Sequence, residues 1–237
     1  MKHGYGQYCP LALATEILGQ RWTVLVISRV LGGCRTFNAI HQGVPRMSPS
    51  LLSRRLAELA ELGIVRKRVA RGSSSPTYTL TPAGVDLGPV IEQMAIWGKH
   101  WSRDMHLDDL DPAFLAWSMH TRLDPGRMPA GRTVIEFDFT GTPTEFRRFW
   151  IVVENGAVEM CLKDPGFPSD LIVRSDIRRF IEAWRGLRDF QTEIRRGTIH
   201  VEGTAALRPR FLDWILPDSL SPFPRKRGGR ERRMVRT

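Results

Sequence analysis

The apolar positions of this chain follow a helical period through most of the first hundred residues and change to alternating runs after residue 130. Leu11–Leu18 and Trp22–Leu31 are apolar helical segments separated by Gly19, Gln20 and Arg21. Thr36 to Ile40 predicts a brief capped helix, and Gly43 to Arg46 turns the chain into the next element. There, Ser48 supplies an N-cap side chain and Pro49 takes the first helical position, where its missing N–H does no harm. Leu52, Leu56 and Leu59 recur at i, i+4, i+7 and predict a buried stripe, with Ser50, Ser53, Arg54 and Ala57 facing the other way. Gly63 ends this helix in a C′ conformation that other residues resist. Two alternating runs, Ile64–Ala70 and Thr77–Leu80, are joined by Arg71 to Pro76 and predict a hairpin. Val85–Trp101 follows, with Leu87, Val90, Met94, Trp97 and Trp101 stepping by 3, 4, 3, 4 as in a heptad seam.

Met105 to Pro112 is acidic and ends in proline, the composition of a linker running into a capped helix, Pro112–Leu123. Thr133–Phe139 alternates, with Ile135, Phe137 and Phe139 on one face and Glu136 and Asp138 on the other. Arg148–Glu154 and Ala157–Leu162 flank Asn155-Gly156, a strong hairpin signal. Leu171–Val173 reads as a short strand, and Ser175-Asp176 caps a helix carrying Ile177, Phe180, Ile181 and Trp184. Phe190–Arg196 predicts a helix stopped by Gly197, Ile199–Glu202 a last strand, and Arg208–Leu216 a closing helix. The fold class expected is α+β.

The order helix, helix, short helix, turn, long helix, hairpin is that of a winged helix-turn-helix. Its outward face on the Ser48 helix is short, polar and cationic, which suits the floor of a major groove. Several separate motifs carry a resemblance at compatible spacing: Cys9-Pro10, Gly19 to Thr23, Arg35 to Phe37, Ser48 to Leu56, Leu62-Gly63 and Tyr78 to Gly84. From about Cys9 to Trp97 the chain resembles the HxlR family of bacterial transcriptional regulators. The resemblance implies a homodimeric repressor or activator with the Ser48–Leu62 helix as reader, the Arg71–Pro76 loop as wing, and a double-stranded DNA operator as partner. The candidate DNA-binding residues are Thr36, Ser48, Ser50, Ser53, Arg54, Arg55, Lys67, Arg68 and Arg71. The heptad seam is the candidate dimerisation surface, since members of this family pair through terminal helices; the alternative is packing within its own domain. At the position matching Cys9, several members sense oxidants or electrophiles, which makes Cys9 a redox candidate. A buried structural thiol is the alternative.

Residues Arg148 to Trp214 resemble the sterol-carrier-protein family, through Phe149 to Val158, Asp164 to Gly166, Asp170 to Asp176, Phe180 to Gly186 and Arg195 to Gly203. That resemblance implies a five-stranded sheet covered by helices and enclosing an apolar tunnel. Phe137, Phe149, Ile151, Phe180, Trp184 and Ile194 are candidates for lining the tunnel, or else plain core. The domains expected are thus a DNA-binding and dimerisation domain over 1–104, a sterol-carrier-like ligand-binding domain over 105–220, and a disordered basic tail over 221–237.

Charge distribution agrees with this division. Residues 1–106 hold 13 Lys/Arg against 6 Asp/Glu, net +7; residues 107–220 hold 15 against 18, net −3; residues 221–237 hold 7 against 1, net +6. Positive charge sits where phosphate contact is expected. Three cysteines without a paired framework fit a reducing, cytoplasmic setting, and no apolar run reaches the roughly 20 residues that span a bilayer. His100, His106, Asp108 and Asp109 lack metal-ligand spacing. No nucleophile–base motif or phosphate loop is present, so the chain reads as a non-enzyme without cofactor or metal. The function expected is a dimeric DNA-binding regulator tuned by an apolar small molecule; the alternative is a redox regulator using Cys9 with a structural C-terminal half.

Overall fold

The computed structural model describes residues 4–70, 72 and 75–226. They form two compact units that divide at Ala95/Ile96, inside one helix. The first unit contains α1 (Pro10–Leu18), α2 (Thr23–Leu31), α3 (Phe37–Gln42), α4 (Pro49–Glu61), the hairpin β1 (Val65–Val69) and β2 (Pro76–Leu80), and the short α5 (Pro82–Val85). Helix α6 (Gly88–Trp101) carries the division.

Local chemistry sets the helix starts. The Thr36 hydroxyl accepts the Ala39 N–H at 3.2 Å, and that of Ser48 accepts the Leu51 N–H at 3.3 Å. Thr81 caps α5 in the same way, so the expected single helix from Val85 is two, with a break before Gly88. Trp22 interrupts α1 and α2 in a left-handed conformation, φ 75°, that non-glycine residues rarely adopt. Val26, Ile27 and Val30 of α2, Ile40 of α3 and Leu52, Leu56 and Leu59 of α4 make the core, closed by Val65 and Tyr78 of the hairpin.

The second unit is built on a sheet of order β5-β4-β3-β6-β7, from β3 (Arg132–Thr140), β4 (Arg148–Glu154), β5 (Ala157–Cys161), β6 (Leu171–Asp176) and β7 (Ile199–Gly203). Neighbours are antiparallel except β3 and β6, which run parallel with Phe137 opposite Val173. Asn155 and Gly156 both have positive φ, 51° and 80°, which fixes the tight β4–β5 turn. Alternation turns Ile135, Phe137, Phe139, Phe149, Ile151, Val173 and Ile199 to one core. Helices α7 (Pro112–His120), α8 (Ile177–Trp184), α9 (Phe190–Arg195) and α10 (Phe211–Trp214) supply its other walls. Asp111, Asp176 and Asp189 cap α7, α8 and α9. The expected closing helix is a 3-10 turn at Arg208–Arg210 followed by the four residues of α10, because Ile215 pairs with Leu123 as an isolated bridge.

The opposite face of β3 carries charge. Asp138 is buried yet paired with Arg147, and it has Arg148 and Arg174 at 3.7 Å. Glu193 on α9 is likewise buried, under Arg179 at 2.8 Å and the Thr198 hydroxyl at 2.5 Å. Those two donors hold its carboxyl at about 2, below the ordinary 4.5. A depressed folded value contributes stability that is present above pH 4.5 and is lost as pH falls toward 2. Glu193→Gln is therefore expected to unfold at lower denaturant than the parent at pH 7, with the difference shrinking between about pH 5 and pH 2; a pH-independent difference in guanidinium titrations sinks this account.

The segment Ser221–Lys226, expected to be disordered, is ordered. Arg225 pairs with Asp104 at 2.5 Å and donates to the Ser102 carbonyl, while the Lys226 N–H donates to the His100 carbonyl at 3.0 Å. Composition alone missed it because these partners lie more than a hundred residues upstream. Residues 227–237 lie outside the described residues.

Candidate nucleic-acid interface

Helix α4 buries its leucine stripe completely and leaves Ser48, Ser50, Ser53 and Arg54 exposed. Arg54 keeps 69% of its side chain exposed, with only a loose approach to Glu58 at 3.9 Å. It is free to reach outward as a bidentate donor, the geometry that reads a guanine edge. Arg55 behaves differently. Its side chain is 11% exposed and is tied to the Gln20 side-chain oxygen, to Glu58 at 2.6 Å and to the Arg21 carbonyl at 3.5 Å. Arg55 is thus drawn inward, as a brace between α4 and the α1–α2 turn, rather than offered to a ligand on the outer face. Its place three residues after Leu52 and four before Leu59 puts it on the flank of the buried stripe, a signal that was available in the sequence.

The hairpin register sorts the wing cations. Lys67 stands opposite Tyr78, whereas Arg66 and Arg68 stand opposite Thr79 and Thr77. Cross-strand partners share a face, so Arg66 and Arg68 lie together and Lys67 lies on the side of buried Tyr78. Sequence reasoning passed over Arg66, although the period of two pairs it with Arg68. Thr36 is exposed but spends its hydroxyl oxygen as the α3 cap. Arg71 lies outside the described residues.

Along α6 the heptad positions separate. Leu87 packs on the first unit's core, while Val90, Met94, Trp97 and Trp101 are 46%, 50%, 64% and 46% exposed. Tyr8 and Leu11, beside Cys9 at the start of α1, are exposed as well. Cys9 is itself exposed and makes no side-chain cap to α1, so it is not the buried thiol allowed for above. Burial pushes the Cys34 and Cys161 thiols up, which leaves them poor nucleophiles. Asp109 accepts from Arg103 and from the His106 N–H at 2.7 Å, and is held at about 2 chiefly by that Arg103 bond; it serves as a cap.

A protein-family model for the HxlR-like helix-turn-helix matches residues 17–106. The helix-turn-helix-type transcriptional regulator YvaP of Bacillus subtilis is 32% identical over 113 residues, a stretch that covers 46% of this chain and 95% of YvaP. The chain belongs to the HxlR-like helix-turn-helix family. YodB, another transcriptional regulator of B. subtilis, is 34% identical over 95 residues, covering 39% of this chain and 85% of YodB. The structure of reduced YodB aligns at 31% identity over 40% of this chain and 96% of its own, with a TM-score of 0.36; diamide-treated and quinone-bound YodB have also been solved. For this HxlR-like chain, family membership makes the first unit that of a DNA-binding transcriptional regulator. No helix among the described residues is long and apolar enough to cross a membrane.

The residues expected to line a tunnel in the second unit are mostly core. Phe137, Phe149, Ile151 and Phe180 are at most 1% exposed and Trp184 3%, while Ile194 is partly buried against them. The Phe137 ring lies 4.8 Å from Phe149 and 5.9 Å from Phe180, which fills the space between them. A cleft of about 530 Å³ opens nearby instead, lined by Ala183, Leu187, Phe190, Pro217 and Pro222 among others.

Proposed function

We propose that this regulator acts as a homodimer that sets two α4 helices into successive major grooves, roughly 34 Å apart. Residues 1–104 serve as reader and 105–220 as an apolar-effector sensor, and the basic residues beyond Lys226 add phosphate contacts. The observation that carries the reader half is Arg54, extended from a capped helix with little to hold it back. Arg54→Ala is expected to cost about 1–3 kcal/mol on a selected operator and to relax preference at one position per half-site. Equal loss on operator and random DNA in anisotropy titrations makes Arg54 a phosphate contact and overturns its reading role.

The dimer reading is supported by four apolar side chains, exposed at steps of 4, 3, 4 on α6, which form a patch that monomers seldom leave to water. The sensor reading is supported by the helix-covered five-stranded sheet, the pattern implied by the sterol-carrier resemblance. Phe190 lines the 530 Å³ cleft and stacks edge-on against Phe180 at 5.3 Å, so the cleft reaches the aromatic core through one ring. Native mass spectrometry is expected to find an apolar molecule on the parent chain and to lose it in Leu187→Glu; retention in the variant overturns this cleft as the site.

A second reading rests on Cys9, exposed at the start of α1, and on the relation to YodB, a protein solved in reduced, diamide-treated and quinone-bound forms. In that reading oxidation of Cys9 releases the operator and the second unit is structural. Release by peroxide that persists in Cys9→Ser excludes it.

A further inference from the structure

The first unit contains a cavity of about 460 Å³ between α1, the α1–α2 turn, the start of α2 and α4, within the roughly 300–1,000 Å³ range of small-molecule sites. Ile17, Leu59 and Leu62 give it apolar walls, and Thr23 and Arg55 give it polar ones. Two of those polar groups stand without a partner among the described residues. Thr23 is 1% exposed and its Oγ1 makes no hydrogen bond; the Arg55 Nε–H is buried and makes none either, although its terminal nitrogens are engaged. A buried donor left unpaired keeps the cost of its lost hydration, so two on one small cavity are a standing deficit that a ligand acceptor would remove.

The Arg55 charge in the cavity is already matched. Arg55 is paired with Glu58, and Glu61 adds a further carboxylate to the rim. An anion would meet those carboxylates, and a cation would leave both donors unpaired. We infer that this cavity binds a small neutral molecule, with a carbonyl oxygen directed at Thr23 Oγ1 and Arg55 Nε and an apolar body against Ile17, Leu59 and Leu62. Because the same Arg55 guanidinium braces α4 to Gln20 and Arg21 through its terminal nitrogens, a carbonyl held on its Nε–H fixes the guanidinium and with it the setting of α4. Occupancy therefore alters operator affinity, a consequence that rests on α4 being the reader, whereas binding itself does not.

The test uses the full chain, labelled at isoleucine, leucine and threonine methyls, with benzamide as probe and benzoate and benzylammonium as charged counterparts. Benzamide is expected to shift the methyls of Ile17, Thr23, Leu59 and Leu62 saturably, and more tightly than either ion. Thr23→Val removes an unpartnered buried hydroxyl, so it should keep or raise thermal stability while weakening benzamide about fivefold, the worth of one hydrogen bond. Leu62→Phe, at a partly exposed wall, should fill the cavity and abolish the shifts. Absence of saturable shifts, a charged probe bound more tightly than benzamide, or equal affinity in Thr23→Val overturns the site. Saturated methyl shifts with unchanged operator affinity overturn only the coupling to α4.

Discussion

Replacing Trp97 with glutamate is expected to turn the protein into a monomer and to weaken operator binding by about a hundredfold or more. Trp97 is 64% exposed, so the change removes little packing from its own chain and the fold should survive. In a dimer that pairs Val90, Met94, Trp97 and Trp101 across a twofold axis, the same change places two carboxylates in an apolar interface. Each costs several kcal/mol unless it is paired or protonated. Operator affinity follows, because a dimer engages its second half-site at an effective concentration in the millimolar range, and a monomer forfeits that linkage. Trp97→Phe keeps the apolar surface and should keep the dimer. Sedimentation equilibrium of the three proteins, followed by anisotropy titration on a selected operator, reads both effects. A dimer that persists in Trp97→Glu places the pairing surface elsewhere, and a monomeric parent that binds operator with full affinity removes the dimer from the mechanism.

The parts of this molecule that were legible in its sequence are those fixed by neighbours along the chain. Ser48, Pro49, the leucines of α4 and Gly63 define that helix within sixteen residues, and Asn155-Gly156 fixes its hairpin through the positive φ angles it tolerates. What escaped depends on partners far away in sequence. The inward turn of Arg55 is decided by Gln20, thirty-five residues back, and the parallel pairing of β3 with β6 joins strands more than thirty residues apart. The candidate lining residues illustrate a different limit. The strand and helix periods placed Phe137, Phe149 and Phe180 on the buried side of their elements, but a filled core and an open tunnel demand the same apolar types at the same spacing. Only the distances between rings separate the two.

Those distances lead to the second large effect: Phe137→Ala is expected to destabilise the second unit by about 3–5 kcal/mol, a third or more of what a domain of ordinary stability has to lose. Phe137 occupies the central strand, is fully buried, and has four aromatic rings around it: Phe149 at 4.8 Å, Phe180 at 5.9 Å, Phe139 at 6.2 Å and Phe211 at 6.4 Å. Neighbours held by a sheet on one side and helices on the other collapse poorly into the space, so most of the cavity term persists. The units report separately, since six of the seven tryptophans lie between Trp97 and Trp214 and only Trp22 belongs to the first unit. Guanidinium unfolding followed by tryptophan fluorescence should therefore show an early transition in the variant, while operator binding below that transition stays near the parental value. Benzene should recover part of the loss by occupying the new apolar void, as it does in engineered cavities of this kind. The alternative is that Phe137 borders a tunnel that opens to admit an acyl chain. Truncation then merely widens a space that water or ligand already enters, the cost falls below about 2 kcal/mol, and longer apolar ligands bind more tightly to the variant than to the parent. A loss in the higher range, recovered by benzene and without any gain in ligand length, identifies the Phe137 cluster as solid core and leaves the cleft beside Phe190 as the place for an effector to enter.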